Sequence, residues 1–273
     1  MTVRDDLAHA ERALLEHAAY GRSRVRAGAL TACLAEGRAD ALMHVAVPSG
    51  PEPTGWDDSV QALIALHPRH GTVPRLEFMA ELHPALAQSL ERHGFVRTSS
   101  DPVMTLDLQG ALPASAVPAP GYRRLAANDP ELLSAFVEQQ AEAFGMPPAT
   151  GYAFLERLQD TIAAGTSIAA ALLGDGTPVA GAVLQLGASG WAELAGVYTA
   201  PASRGRGLAM AACTRLLADA RVAGVTHAWL SAAEGARGLY RRLGFRSVGS
   251  QLNYRYAPFS AADVGPHPGP AHG

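Results

Sequence analysis

The chain of 273 residues has 48% hydrophobic and 17% charged residues, with a formal net charge of −3 at pH 7. This balance is typical of a globular protein with a full core, and the negative charge argues against a general nucleic-acid or membrane-binding surface. The length favours two domains, and two cysteines with no cationic leader or long apolar run predict a cytoplasmic protein without a disulfide framework.

The first half of the chain begins with a predicted helix, two short strands and a second helix. The second helix begins after Asp57 and Asp58, where the helix dipole favours acidic residues. Its neighbours His67 and His70 are spaced like metal ligands, but nothing nearby completes a site, so no metal is predicted. The predicted bounds are 4–20, 29–35, 41–47 and 60–66.

Two stretches that lie 150 residues apart indicate an internal repeat. Each has a short strand and a helix that leaves through a Gly-Phe pair into another strand, at Gly94 in the first copy and Gly244 in the second. Leu90 occupies the first-copy position of Tyr240, and residues 54–59 stand where the second copy has a glycine loop. The alternative is two unrelated turns, since glycines commonly end helices.

The repeat predicts two tandem, related domains, of which the first carries no chemistry. A proline-containing segment would join them as an extended, semi-stiff linker. A tail rich in proline, glycine and alanine is expected to be disordered. The predicted bounds are 1–110 for the first domain, 111–120 for the linker, 121–257 for the second domain and 258–273 for the tail.

The second domain begins with a strand and two helices, the first of them capped by Asn128 or Asp129 with Pro130 near its first position. A meander of three strands follows, then a helix that ends at Gly224, then a further strand. The predicted bounds are 122–125 for the first strand, 152–164 for the second helix, 168–173, 179–186 and 191–199 for the meander, and 225–231 for the last strand.

The third strand of the meander leads into the turn Arg204-Gly205-Arg206-Gly207 and then into a helix. Glycines at a helix N-terminus let free backbone N–H groups converge on a phosphate. A Rossmann loop would need glycine where Met210 stands, and a Walker loop would need a Lys-Ser/Thr pair that is missing here. The alternative is a glycine turn that only connects the strand to the helix.

Two motifs lie about 35 residues apart, Arg204-x-x-Gly207-x-Ala209 and Leu239-Tyr240-Arg241-Arg242-Leu243-Gly244-Phe245. Together they resemble the GCN5-related N-acetyltransferases, the first being similar to the family's coenzyme loop and the second to its second signature. The resemblance covers residues 121–257. It implies an α/β fold with a mostly antiparallel mixed sheet, here as two tandem copies, whose splayed strands hold acetyl-CoA.

The resemblance also implies which residues contact the coenzyme. Backbone groups of the strand would pair with the pantetheine arm, and loop amides and arginines would hold the diphosphate. Ala233 departs from the family pattern, which often has asparagine there, so Ser231 or the backbone would make that contact. Arg237, Arg241 and Arg242 either reach the adenosine phosphates or form a solvated helix face. The predicted coenzyme contacts are Val197, Tyr198, Thr199, Arg204, Gly205, Arg206, Gly207, Leu208, Ala209 and Ser231.

Glu193 and Tyr240 are the predicted catalytic residues. Glu193 lies 11 residues before Arg204, at the position of a catalytic glutamate in one branch of the family, where it would take a proton from the amine or position a cationic acceptor. Tyr240 would donate a proton to the coenzyme sulfur, and its alternative is a core tyrosine. The oxyanion would meet a backbone N–H near Gly196 or Val197.

By the same resemblance, Phe144, Met146 and Tyr152 are candidate acceptor contacts, with core packing as the alternative. The predicted function is transfer of acetyl from acetyl-CoA to a primary amine, favouring a small molecule, in a ternary complex of a monomer or homodimer. Neither Cys33 nor Cys213 lies where an acyl carrier should. The alternatives are a non-catalytic acyl-CoA sensor or scaffold and, more weakly, a different acyl group.

Overall fold

A computed structural model describes residues 2–35, 44–50, 54–70, 72–110, 112, 121–146, 148–187 and 189–257. In this part of the chain the strands form one sheet of eleven, in the order β1-β2-β3-β4-β11-β5-β10-β9-β8-β7-β6. The strands are Ser23–Ala27, Leu30–Leu34, Val45–Pro48, Arg75–Met79, Phe95–Asp107, Tyr122–Arg124, Ser167–Gly174, Thr177–Leu186, Trp191–Thr199, His227–Ser231 and Arg246–Tyr256, numbered β1 to β11. The helices are Val3–Ala19, Asp57–Leu66, Leu86–Arg92, Pro130–Phe144, Pro148–Ala163, Leu208–Val222 and Arg237–Arg242, numbered α1 to α7.

The α/β fold with a mostly antiparallel mixed sheet is confirmed. Among the described strands, only β3 with β4 and β9 with β10 pair in parallel. The predicted helices and the three-strand meander appear close to their expected bounds. Strand β1 was not predicted, because its alternating Arg24 and Arg26 leave only Val25 and Ala27 as apolar signals.

From the first strand of each three-strand run, β1 and β7, the order of elements is the same in the two halves of the sheet. A parallel strand pair encloses a helix in each half, α2 between β3 and β4 and α6 between β9 and β10. A short helix then leads into a long central strand, α3 into β5 and α7 into β11, and both exits have a left-handed glycine, with φ of 83° at Gly94 and 95° at Gly244. This order is compatible with the tandem arrangement, and a degenerate first copy stays a prediction.

The two predicted domains share this sheet rather than forming separate ones. β11, from the end of the chain, lies between β4 and β5, and β5 in turn lies between β11 and β10. Each half therefore has its last strand inserted beside the other half, and the pairing of β5 with β11 runs from Arg246↔Thr105 to Tyr256↔Phe95. The predicted linker, apart from Leu112, and the predicted tail lie outside the described residues.

Helix α1 joins the two halves on one face of the sheet. Its N-terminus is a capping box, in which the Asp5 N–H donates to Thr2 Oγ1 and the Thr2 N–H donates to the Asp5 carboxylate. Its buried side packs with Trp191 and Trp229 from one half and Met79 from the other. Burial of this shared core makes the arrangement of the two halves depend on α1.

The remaining helices cover both faces of the sheet. α4 and α5 lie on the same face as α1, and Asp129 caps α4 by accepting from the Leu132 N–H at 3.2 Å. α6 and α7 pack on the opposite face, in a core that includes Leu194 of β9. No helix in the described part of the chain is long and apolar enough to cross a membrane.

Candidate active site

Strands β9 and β10 separate partway along their length. Their parallel pairing runs from Trp191↔His227 to Glu193↔Trp229 and stops there, while β9 continues to Thr199 beside β8. A wedge therefore opens towards the carboxyl ends of the two strands, with Glu193 at its closed end. The sequence predicts such a splay of the strands for the pantetheine arm.

A bulge in β9 lies just beyond this point. The register with β8 moves from Val183↔Ala195 to Gly181↔Tyr198, so Gly196 and Val197 together face one residue of β8. Gly196 has a left-handed φ of 59°, and its carbonyl accepts a hydrogen bond from Gln140 Nε2 at 2.7 Å. A bulge re-aims backbone groups, which suits the predicted oxyanion contact at this place.

The N-terminus of α6 lies where β9 ends, after a short 3-10 turn. Gly205 and Gly207 have φ of 74° and 73°, a conformation that favours glycine, and no side chain caps the helix. The first hydrogen bond into the helix comes from the Ala211 N–H to the Gly207 carbonyl, which leaves the N–H groups of Leu208 and Ala209 outside the helical pattern. These free donors and the helix dipole make a suitable anion site.

The two arginines of the turn differ in their contacts. Arg204 donates from Nε to the Thr199 carbonyl at 3.4 Å and from Nη2 to the Ala143 carbonyl at 3.2 Å, which ties the turn to β9 and to the last turn of α4. Arg206 is exposed. Arg204 therefore shapes the site, and Arg206 is the better placed of the two to approach a diphosphate from solvent.

Tyr240 lies on α7, which follows β10. Its side chain is 8% exposed and packs with Cys213 in the core under α6 and with Phe245 at a ring distance of 6.1 Å. Burial raises the pKa of the phenol well above its ordinary value, so it stays protonated and keeps its proton to donate.

Glu193 and Tyr240 belong to opposite faces of β9. Side chains alternate along a strand, and Ala192 and Leu194 lie in the same core as Tyr240, while Glu193 and Ala195 line a cavity on the face of α1, α4 and α5. The wedge between β9 and β10 joins the two faces. An acceptor in the cavity and a coenzyme in the wedge could therefore meet near Glu193.

The cavity has a volume of about 350 Å³ and brings together three of the predicted residues, Glu193, Phe144 and Met146. Tyr152 does not line it. That side chain is 70% exposed and borders a separate cavity between α4 and α5 that it shares with Met146. The first cavity is thus the candidate acceptor site, and Tyr152 lies outside it.

Burial raises the pKa of Glu193 to about 8, and the charge of Glu77 adds to the effect. Glu77 comes from β4 in the first half of the chain, and its own pKa is also raised by burial. Gln251 of β11 donates to the Glu77 carboxylate at 3.4 Å. A carboxylate with a pKa near 8 is a stronger base than an exposed glutamate and suits proton transfer near neutral pH.

Several cavity residues come from the first half and were not predicted. Those with ionisable side chains are His17, Arg22, Arg75 and Glu77. No local motif marks them, since each lies in an ordinary helix, turn or strand sequence. Only the packing of α1 against both halves of the sheet brings them to Glu193.

The remaining predicted coenzyme residues have different settings. The Tyr198 side chain is 3% exposed and packs edge-on against Phe136, so only its backbone borders the wedge. Ser231 ends β10, where it pairs with Val103 of β5. Arg241 and Arg242 are exposed on α7.

Comparison with known proteins agrees with this geometry. Residues 133–245 match the family model described as "Acetyltransferase (GNAT) family". The range contains the wedge, the glycine turn and the Leu-Tyr signature. No curated protein matches the chain.

Solved structures resemble nearly the whole chain. A GCN5-related N-acetyltransferase from Kribbella flavida is 26% identical, with a TM-score of 0.72 over 94% of this chain and 98% of that one. One from Sphaerobacter thermophilus is 21% identical, with a TM-score of 0.61 over 83% and 76%. A tandem GNAT protein from the clavulanic acid biosynthesis pathway is 14% identical, with a TM-score of 0.54 over 95% and 98%. The last two similarities concern the fold alone.

Proposed function

We propose that this chain, whose residues 133–245 form a domain of the acetyltransferase (GNAT) family, is an N-acetyltransferase. It transfers the acetyl group of acetyl-CoA to a primary amine of a small molecule, and the reaction takes place in a ternary complex. The observation that carries this proposal is the end of β9–β10 pairing at Glu193↔Trp229. The opening lies between a helix N-terminus that suits an anion and a cavity of about 350 Å³ with a carboxylate.

The residues of this opening fit acetyl-CoA. The free N–H groups of Leu208 and Ala209 and the exposed Arg206 suit the diphosphate, and the unpaired edge of β9 from Leu194 to Thr199 suits the amide-containing arm. Acetyl-CoA, when bound, supplies a thioester whose carbonyl carbon the amine attacks as the thiolate leaves.

Two side chains handle the protons of this reaction. Glu193 accepts a proton from the attacking amine, directly or through a water molecule, because its raised pKa of about 8 makes it a suitable base. Tyr240 donates its hydroxyl proton to the departing sulfur, since burial keeps the phenol protonated. The bulge at Gly196 and Val197 offers a backbone N–H to the oxygen that gains charge.

The test is release of the free thiol from acetyl-CoA across a panel of primary amines, with a reaction lacking amine as the blank and mass spectrometry of the product. Amine-dependent thiol release together with an acetylated amine is the expected result. Silence across the panel, with acetyl-CoA binding shown by calorimetry, would overturn the proposal in favour of a non-catalytic acyl-CoA sensor.

A further inference from the structure

The candidate acceptor cavity has charges of both signs. Two carboxylates, Glu77 and Glu193, lie on the sheet, and two guanidinium groups, Arg22 and Arg157, lie where α1 ends. Between them the walls are largely apolar. The apolar side chains of this wall include Leu14, Val45, Val137, Phe154, Leu158 and Val183.

Arg157 has its hydrogen-bonding groups well used. It donates to the Tyr20 carbonyl at 2.8 Å and to the His17 carbonyl at 2.7 Å, and it approaches His17 Nε2 at 3.2 Å. Burial and the two nearby arginines lower the pKa of His17 to about 3, so the imidazole is neutral at pH 7 and adds no charge. These contacts explain the position of Arg157, because a cation that donates to the last carbonyl groups stabilises the C-terminus of a helix.

Arg22 makes fewer hydrogen bonds than Arg157 does. It donates one hydrogen bond, from Nη1 to the Ala18 carbonyl at 3.0 Å, and its buried Nε has no partner in the described part of the chain. Within the described residues, no carboxylate forms an ion pair with Arg22 or Arg157. Arg75, by contrast, pairs with Glu77 at 3.1 Å.

The Arg22 guanidinium is partly buried and has no carboxylate within ion-pair distance among the described residues, which is costly. Burial lowers the pKa of Arg22, and the charge of Glu77 offsets this effect only in part. The hydrogen bond to the Ala18 carbonyl caps the C-terminus of α1. This role does not explain why the Arg22 guanidinium also lines the cavity. An anionic group in the cavity would supply the missing partner, and Arg is suited to a carboxylate because of its planar set of donors.

We infer that the acceptor is an amino acid-type molecule, whose carboxylate binds Arg22 while its amine faces Glu193 and its carbon skeleton contacts the apolar walls. This inference rests on the proposed function, since it identifies the class of amine at the same site. It also assigns the first half of the chain a part in acceptor recognition.

The test compares matched amines with and without the carboxylate: glycine with methylamine, γ-aminobutyrate with propylamine, and leucine with isopentylamine. Thiol release gives kcat/KM, and calorimetry on the protein with coenzyme A gives direct binding. We expect at least one carboxylated member to exceed its partner by about tenfold or more, the usual effect of a charged hydrogen bond. Equal or better use of every alkylamine would overturn the inference and leave the proposed function standing.

Variants of Arg22 test its role. Arg22→Met should lower kcat/KM for the carboxylated amine, through a higher KM, about tenfold more than it does for the matched alkylamine, and Arg22→Lys should restore part of the difference. Arg24→Met, at an exposed position on β1, is the matched control. A preference that survives in a folded Arg22→Met would overturn the assignment.

If no amine is turned over, the proposed function fails, and calorimetry still decides the inference. Binding of a carboxylated amine about tenfold tighter than its partner, lost in Arg22→Met, would support a carboxylate site on a protein without turnover. No difference in binding between the members of any pair would refute it.

Discussion

Glu193 of β9 pairs with Trp229 of β10, and beyond this pair the two strands separate. The base candidate therefore lies at the closed end of the wedge, next to the candidate acceptor cavity that it lines. Trp229 is fully buried against α1, so the point of separation is fixed by the core shared between the two halves.

Replacement of Tyr240 by phenylalanine should slow acetyl transfer by about 10²–10⁴-fold in kcat, because the sulfur would lose its proton donor. The ring remains, so packing with Phe245 is kept. Stopped-flow thiol release measures the rate. Tyr254→Phe, which removes a buried hydroxyl bonded to Glu91 in the first half, is the control and should keep its turnover. Equal rates in Tyr240→Phe and native protein would exclude the phenol as the acid.

The kcat/KM of the native protein should rise with pH through about 8, as Glu193 loses its proton. Glu77→Gln should shift this rise to lower pH, because the charge of Glu77 contributes to the raised pKa of Glu193. Glu193→Gln should be slow and lack the rise. Two amines of different basicity separate the enzyme's titration from the acceptor's, and a rise that follows only the amine would argue against Glu193 as base.

Glu193 should also make stability depend on pH. Its pKa is about 8 in the folded protein against 4.5 ordinarily, so between these values the folded state holds a proton that the unfolded state has lost. The free energy of unfolding should fall as pH rises through this window. Urea unfolding of native protein and Glu193→Gln, which both retain His17, isolates the effect: the variant should gain relative stability towards about pH 8. A constant difference across the window would contradict the raised pKa.

Gly196→Ala should destabilise the fold more than Gly205→Ala does. Both positions have left-handed φ, at a cost of about 1–2 kcal/mol for alanine. A Cβ at Gly196 would also meet Gln140 Nε2, whereas a Cβ at Gly205 would meet nothing within 4 Å. Loss of the Gln140 hydrogen bond adds about 1 kcal/mol. Chemical denaturation measures both, and equal losses would show that the bulge accepts a side chain.

The two arginines of the glycine turn should have separable effects. Arg206→Ala should raise the Kd for acetyl-CoA several-fold, less so in high salt, with an unchanged Tm, because the side chain is exposed. Arg204→Ala should also lower the Tm, since it removes the links to Ala143 and Thr199. Calorimetry and thermal unfolding distinguish them. A lower Tm in Arg206→Ala alone would reverse the assignment.

The local sequence determines much of the secondary structure. The period of apolar residues, the cap at Asp129 and the glycines at helix ends specify α4, α6 and the meander without reference to distant residues. The glycine turn after β9 likewise predicts an anion site at a helix N-terminus, because free N–H groups are a property of the helix end itself.

Only the tertiary structure decided that β11 pairs with β4 and β5. It also decided which residues line the candidate acceptor cavity. The pattern of apolar residues in 246–256 does not predict which strands pair with this segment. Arg22 and Glu77 line the same cavity as Glu193 because the shared sheet and α1 place them there. The sequence by itself determined the elements and the glycine turn at the start of α6, since these depend on neighbouring residues. The pKa of Glu193 depends on burial and on distant side chains, which only the folded chain brings together.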